Sequence, residues 1–412
     1  MLPLKSHGMQ NNRKSGVFFI LVTILIDCIG FGVIIPIMPD LIKSLTGGDI
    51  SEASRYGGYL LVAYSVMQFI SSPVLGSLSD KFGRRPILLV SLFGFGVDYL
   101  FLAFAPTIGW LFVGRIFAGI CGASITTASA YIADVSEPDK RAQNFGLIGA
   151  AFGLGFIIGP VVGGVFAQYG LHVPFMIAAA LSLINWLYGY FILPESLKPE
   201  NRRAFDWRRA NPVGALKQIR KYPSLLGLLG ALLILYLAAQ STQSIWSYYT
   251  LEKFNWNATW VGYSLGFVGL TVAIVQGGLI RIIIPKIGNK RAIQTGLMLY
   301  VLGFASFALA TSGWMMFAFM VPYALAGITG PAIQGIISKQ VPPNEQGELQ
   351  GIMTGLMSLA SIFGPLLMTN LFFYFTAKNG SLYFPGAPFM MAAFLTVIAM
   401  LICNRSLRKY HS

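Results

Sequence analysis

Twelve apolar runs, each about as long as a bilayer is thick, follow one another through nearly all of this 412-residue chain. A membrane-spanning helix needs roughly 20 mostly apolar residues. The runs lie at 17–38, 57–78, 87–105, 109–131, 144–168, 173–193, 223–249, 259–283, 292–311, 313–337, 350–375 and 386–404. The expected fold class is therefore an all-α polytopic membrane protein with twelve transmembrane helices. Composition agrees, with 55% hydrophobic and 11% charged residues, where soluble domains carry about 25% charged. This excludes a water-soluble enzyme domain, a disordered chain and a disulfide-stapled module. Cys28, Cys121 and Cys403 each sit in an apolar stretch, so no disulfide framework is expected. The first run carries Asp27 at its centre and no small-residue cleavage site follows, so it reads as a retained helix and not a signal peptide.

Basic residues orient the runs. With the N-terminus inside, 24 of the 29 Lys and Arg fall in cytoplasmic segments. Only Lys43, Arg55, Lys253 and Lys378 fall outside, and Arg115 lies within a span. The positive-inside rule then places both termini in the cytoplasm. The same asymmetry accounts for the net charge of +14, so no nucleic-acid partner is expected.

The longest polar stretch, Pro194 to Pro223, separates six runs from six. It divides the chain into an N-terminal tail (1–16), a first six-helix half (17–193), a central loop (194–222), a second six-helix half (223–404) and a tail (405–412). Ala118-Gly119-Ile120-Cys121-Gly122 recurs as Ala326-Gly327-Ile328-Thr329-Gly330, 208 residues later. Gly146 with Gly159-Pro160 recurs as Gly351 with Gly364-Pro365, 205 residues later. Two six-helix repeats follow from matching motifs in matching spans.

Three constellations carry chemistry. The loop Gly76-Ser77-Leu78-Ser79-Asp80-Lys81-Phe82-Gly83-Arg84-Arg85-Pro86 joins the second and third spans. There Gly76 allows close helix approach, Gly83 a tight turn, and Asp80 can meet Arg84 or a facing helix N-terminus. Such a cluster can latch a cytoplasmic gate. In the second half only Gly288-Asn289-Lys290-Arg291 is kept, and Pro285 stands where the aspartate would be. In the fifth span, Gly155, Gly159, Pro160, Gly163 and Gly164 form a smooth, bendable helix face. The third constellation is charge inside the membrane: Asp27, Asp98 and Arg115, about 15, 10 and 9 Å from the outer ends of their spans. Intramembrane charges are costly and face a cavity or a partner. Burial raises a carboxyl's pKa and a nearby guanidinium lowers it; that opposition suits a proton switch. Asp27, nearer its helix centre, is the expected carrier, with Arg115 biasing it and Asp98 tuning the network. The second half has no acid near a span centre, and His7, His172 and His411 all lie outside spans.

An aromatic and amide-rich surface is the expected substrate contact: Tyr64, Gln68, Gln240, Trp246 and Gln334. Large neutral side chains of this kind suit a bulky amphipathic ligand. Trp246, Tyr248, Tyr249 and Trp260 fit an interfacial aromatic belt equally well. There is no His/Cys metal cluster and no glycine-rich phosphate loop, so no metal, no cofactor and no enzyme activity are expected.

Taken in order, these motifs resemble the major facilitator superfamily. More narrowly, they are similar to its tetracycline-efflux branch of drug:proton antiporters. The likeness rests on the loop from Gly76 to Arg85, on Gly159-Pro160…Gly163-Gly164, and on Arg115…Gly119. Leu25-Ile26-Asp27, Asp98-Tyr99-Leu100, Ile132-Ala133-Asp134, Trp256-Asn257 and Pro331-Ala332-Ile333-Gln334-Gly335 extend it across nearly the whole chain. The resemblance implies two repeats around a midplane site and export of a tetracycline-like drug against entering protons. It also implies a plasma-membrane location (the bacterial inner membrane) and a chain functional as a monomer. The enterobacterial pumps of that branch carry a histidine in the eighth span and an aspartate in the ninth; near those positions this chain has Thr271-Val272-Ala273 and Leu299-Tyr300. A proton-independent facilitator or an exporter of an endogenous metabolite is the alternative. Without a nucleotide site, the energy must come from gradients, about 2.3 kcal/mol per charge per 100 mV and about 1.4 kcal/mol per proton per pH unit.

Overall fold

A computed structural model describes residues 4–122, 124–136, 138–205, 222–342, 345–377 and 382–409. Arg208, Arg209, Lys217, Arg220 and Lys221 of the central loop, Lys378 and His411 lie outside the described residues. Among the described residues every regular element is helical.

Among the described residues, eleven helices are long and apolar enough to cross a membrane. One of them, Ala258–Leu309, runs for 52 residues, far beyond the roughly 20 that one crossing takes. Gly288, at φ 78° and ψ 158°, breaks it into the eighth and ninth spans. Gly83, at φ 105°, turns the chain in the same way between Ile50–Phe82 and Arg84–Phe104. Glycine enters this region of φ without a Cβ clash, and the two turns stand 205 residues apart, at the offset of the repeat. The twelve helices fit two six-helix repeats.

The helices overrun the apolar runs. The first extends over Leu4–Thr46 and the second over Ile50–Phe82, because polar flanks continue a helix beyond the hydrocarbon. The repeated Ala-Gly-Ile-x-Gly marks an irregularity in both halves. In the fourth span, Ile108–Cys121 ends at Gly122, whose N–H bonds Gly119 O at 3.2 Å, before the chain resumes as Ser124–Val135. In the tenth, Ala326–Ile328 winds as a 3-10 turn between Gly313–Leu325 and Thr329–Ser338. The remaining spans are Pro138–Phe166, Val173–Ile192, Leu226–Phe254, Gln346–Thr376 and Ala387–Lys409. A left-handed Asn255 (φ 52°) ends the seventh, and Asn257 caps the eighth by accepting from Trp260 N at 3.0 Å.

Contacts divide the chain into two compact units, Met1–Ile37 with Val66–Asn211, and Met38–Ser65 with Pro212–Ser412. In the first, Phe19, Ile20, Ile24, Leu88, Leu92 and Tyr131 form a buried core. In the second, Leu228, Leu232, Ile293, Leu297, Ile333 and Ile352 do the same. The turn between the first two helices joins the second unit through a close seam. Thr376 Oγ1 donates to Ser51 Oγ at 2.9 Å, and Ser51 Oγ donates to Phe373 O at 3.1 Å. Arg55 lies 4.5 Å over the Phe373 ring. Gly57 and Gly58 lie directly against Tyr248 and Thr369, the small-residue approach that holds helices together in lipid.

Candidate functional site

The loop between the second and third spans is held by a charge network within the first unit. Arg84 Nη1 bonds Asp80 Oδ1 at 2.6 Å and Ser79 Oγ at 2.6 Å, while its Nε bonds Asp134 Oδ2 at 3.2 Å. Asp80 thus meets Arg84, one of the two partners that the spacing allowed. Gly83 supplies the turn. Gly76 differs from expectation: a methyl group there would meet nothing within 4 Å, so it permits no close approach here, and its carbonyl accepts from Ser79 Oγ instead. Arg85 reaches Tyr190 O at 2.6 Å.

Two further carboxylates complete this network, and their role did not show in the motif. Glu195, at the head of the central loop, accepts from the backbone N–H groups of Arg84 (2.8 Å) and Arg85 (3.2 Å). It therefore satisfies the N-terminus of the third helix, where a carboxylate is favoured. Asp134 accepts from Arg84 and from Ser196 Oγ, and Arg203 N donates to Asp80 O at 3.0 Å. The strap from Leu197 to Arg203 and the loop border an open pocket of about 590 Å³ with Asp80, Arg84 and Asp134 in its wall.

The glycine face of the fifth span packs on the first helix on either side of Asp27. A methyl on Gly155 would lie 2.8 Å from Leu25 O and on Gly159 2.5 Å from Ile29 O. On Gly163 it would lie 2.5 Å from Val33 O. Pro160 fits against Gly32. This backbone-to-backbone contact leaves no room for any side chain. The matching contact in the second unit is Gly364 of the eleventh span against Gln240 of the seventh.

Asp98 and Arg115 form an ion pair, with Asp98 fully buried and Arg115 nearly so. Gly114 lies beside Asp98 Oδ1 and makes room for it. The adjacent Tyr99 presses its ring on Gly30, one turn beyond Asp27 on the first helix. The third helix therefore brings its aspartate to the fourth and its tyrosine to the first. Asp27 is part-exposed as a residue, with its carboxylate oxygens shielded.

The expected substrate residues each have their own surroundings. Gln68 Nε2 donates to Gly122 O at 3.1 Å, and Tyr64 is partly exposed on the same helix. Gln240 is buried and donates to Ser361 Oγ at 3.4 Å; Gln334 donates to Gln350 Oε1 at 3.4 Å. Trp246 departs most from a contact surface. It is buried, its indole N–H is taken by Ser264 Oγ at 2.9 Å, and it packs edge-on to Phe307 and Phe389. Tyr248 and Tyr249 are buried too, so these three form a core and not an interfacial belt, whereas Trp260 is exposed as a belt residue would be. Sequence reading also missed a neutral pair in the second unit, Thr242 Oγ1 with Tyr323 OH at 3.0 Å, packed by Tyr300.

The model of the Major Facilitator Superfamily matches residues 20–365 and 279–409. The chain belongs to the major facilitator superfamily. It is 41% identical over 364 residues to the class C tetracycline resistance protein of Escherichia coli, covering 88% of this chain and 91% of that one. It is 36% identical to the class B tetracycline resistance protein of Escherichia coli, covering 85% and 87%. Its fold matches the solved nucleoside transporter NupG with a TM-score of 0.78 at 14% identity, covering 96% and 99%. The transporter is a multi-pass membrane protein of a family that moves solutes and is not a family of enzymes.

Proposed function

We propose that the transporter exports a tetracycline-like drug in exchange for protons by alternating access, in a bacterial inner membrane with both termini cytoplasmic. The observation that carries this reading is charge buried among the spans of the first unit. Asp98 and Arg115 are paired, and Asp27 stands one turn from the Tyr99 contact. Asp27 is the proton carrier. Asp98 is paired with a guanidinium and fully buried, so it serves as a fixed counter-charge. Shielding of the Asp27 oxygens in this conformation suits a group that exchanges protons only when the helices move.

The glycine face of the fifth span keeps the first helix aligned while Pro160 allows bending. The Asp80–Arg84–Asp134 cluster latches the cytoplasmic side in one of the two access states. Tyr64, Gln68, Gln240 and Gln334 are the polar points for the drug. Trp246 supports the seventh helix from behind. The likeness to tetracycline resistance proteins favours drug efflux over a metabolite exporter. The test is proton movement in everted vesicles across a drug panel that includes tetracyclines. Tetracycline-stimulated proton release from acidified vesicles is expected; tetracycline transport with no proton movement, or none of either, would overturn the reading.

A further inference from the structure

The eighth and tenth spans are both broken inside their apolar runs, and the two breaks touch. In the eighth, Val275–Leu279 makes a π turn between Ala258–Ile274 and the helix that starts at Ile280. In the tenth, the 3-10 turn Ala326–Ile328 follows Pro322. Such turns redirect backbone carbonyls. At membrane depth they are tolerated only where protein covers them or a polar space receives them, and π turns concentrate at functional sites.

One side of this junction is covered and the other is not. Val275 and Ile328 are buried in the second unit's core. Gln276, Gly277 and Gly278 are exposed, and a methyl on Gly277, Gly278 or Gly330 would meet nothing within 4 Å. The Gln276 carboxamide lies across the gap, with Nε2 3.8 Å from a methyl position on Gly327. An exposed amide beside open, irregular backbone is unsuited to acyl chains and calls for a polar partner. Interrupted, glycine-bearing spans are where transporters of this kind hold their solutes.

We propose that this notch is a substrate subsite of the second unit and that Gln276 is its specificity-determining residue. A carboxamide offers one acceptor and two donors side by side. The ligand edge that answers both is a hydroxyl next to a carbonyl, as in an enolised β-diketone. Glycines on both turns let a flat, rigid ring system approach the backbone where a side chain would hold it off. Gln334 lies six residues beyond Ile328 on the same span, about 9 Å along the axis, so one fused-ring ligand can reach both amides. The inference rests on the efflux reading and names the part of the drug that is recognised.

The experiment uses the full chain in everted vesicles, with tetracycline as the probe. Gln276→Ala should raise KM about ten-fold, the effect of one lost polar contact, and leave kcat and the pH profile nearly unchanged. Gln276→Asn should recover part of the affinity. Gln276→Cys and Gly330→Cys, each read on inserted protein, should react with N-ethylmaleimide, and tetracycline should slow that reaction several-fold. If the wild type exports tetracycline while KM is unchanged in Gln276→Ala, or while tetracycline fails to protect either cysteine, the subsite is refuted and the efflux reading stands. If the wild type neither exports nor binds tetracycline, both fall together.

Discussion

The two units of this transporter solve the same packing problem with opposite chemistry inside the membrane. The first carries a buried ion pair, Asp98 with Arg115, and a third charge at Asp27. The second carries, within its spans, neutral hydrogen-bonded groups: Thr242 on Tyr323, Trp246 on Ser264, Gln240 on Ser361. A charge at that depth costs several kcal/mol unless partnered, whereas a neutral hydrogen bond is worth about 1 kcal/mol. The first unit therefore buries ionised side chains among its spans, and the polar contacts just named in the second are neutral. The difference teaches that a duplicated fold can keep its helix packing while changing the chemistry it buries, and on the proposed function it would divide coupling from recognition.

Removing one member of the buried pair should produce the largest effect. Arg115→Ala leaves Asp98 charged and unpaired, a cost of roughly 3–5 kcal/mol, so the amount of inserted protein should fall along with transport. Asp98→Leu combined with Arg115→Leu should restore insertion without restoring coupling; quantitative membrane immunoblots and vesicle transport check both. If the double variant inserted no better than Arg115→Ala, the burden of the unpaired charge would not be the cause.

A smaller effect on stability, with a large one on transport, is expected at the loop. The Asp80 side chain is 42% exposed, and ion pairs of that exposure contribute only about 0–1 kcal/mol. Asp80→Asn should insert at normal levels and still transport poorly, because the pair acts on one access state. Normal transport in this variant would remove the latch. The smallest effect belongs to the neutral contacts of the second unit. Tyr323→Phe deletes one hydrogen bond worth about 1 kcal/mol, so transport should drop only a few-fold with its pH dependence unshifted. A shifted pH profile would show that titration is not confined to the first unit.

Much of this was legible in the sequence, for a physical reason. Apolar length fixes the helices, and Gly83 and Gly288 are the glycines that reverse the chain between spans. The spacing of Asp80 and Arg84, four apart, puts them on one face, where they pair. What could not be read was which partner lies across from a residue on another span. Arg115 was within reach of two aspartates by depth alone, and the structure pairs it with Asp98. Glu195 carries no motif of its own, and its role appears only when the chain returns to the third helix N-terminus. Trp246 looked like a ligand contact because tryptophan serves cores and binding faces alike; the structure buries it, with its indole N–H on Ser264, 18 residues on. The π turn at Gln276 leaves no compositional trace beyond two glycines.

The division of labour is tested most directly at Asp27. Vesicles containing Asp27→Asn would be assayed twice: for uphill tetracycline transport under an imposed pH gradient, and for exchange of labelled against unlabelled tetracycline with no gradient. The account predicts that uphill transport is lost, that exchange persists, and that Asp27→Glu keeps some uphill transport with a shifted pH dependence. Uphill transport coupled to protons as in the wild type would contradict it and transfer the proton to Asp98.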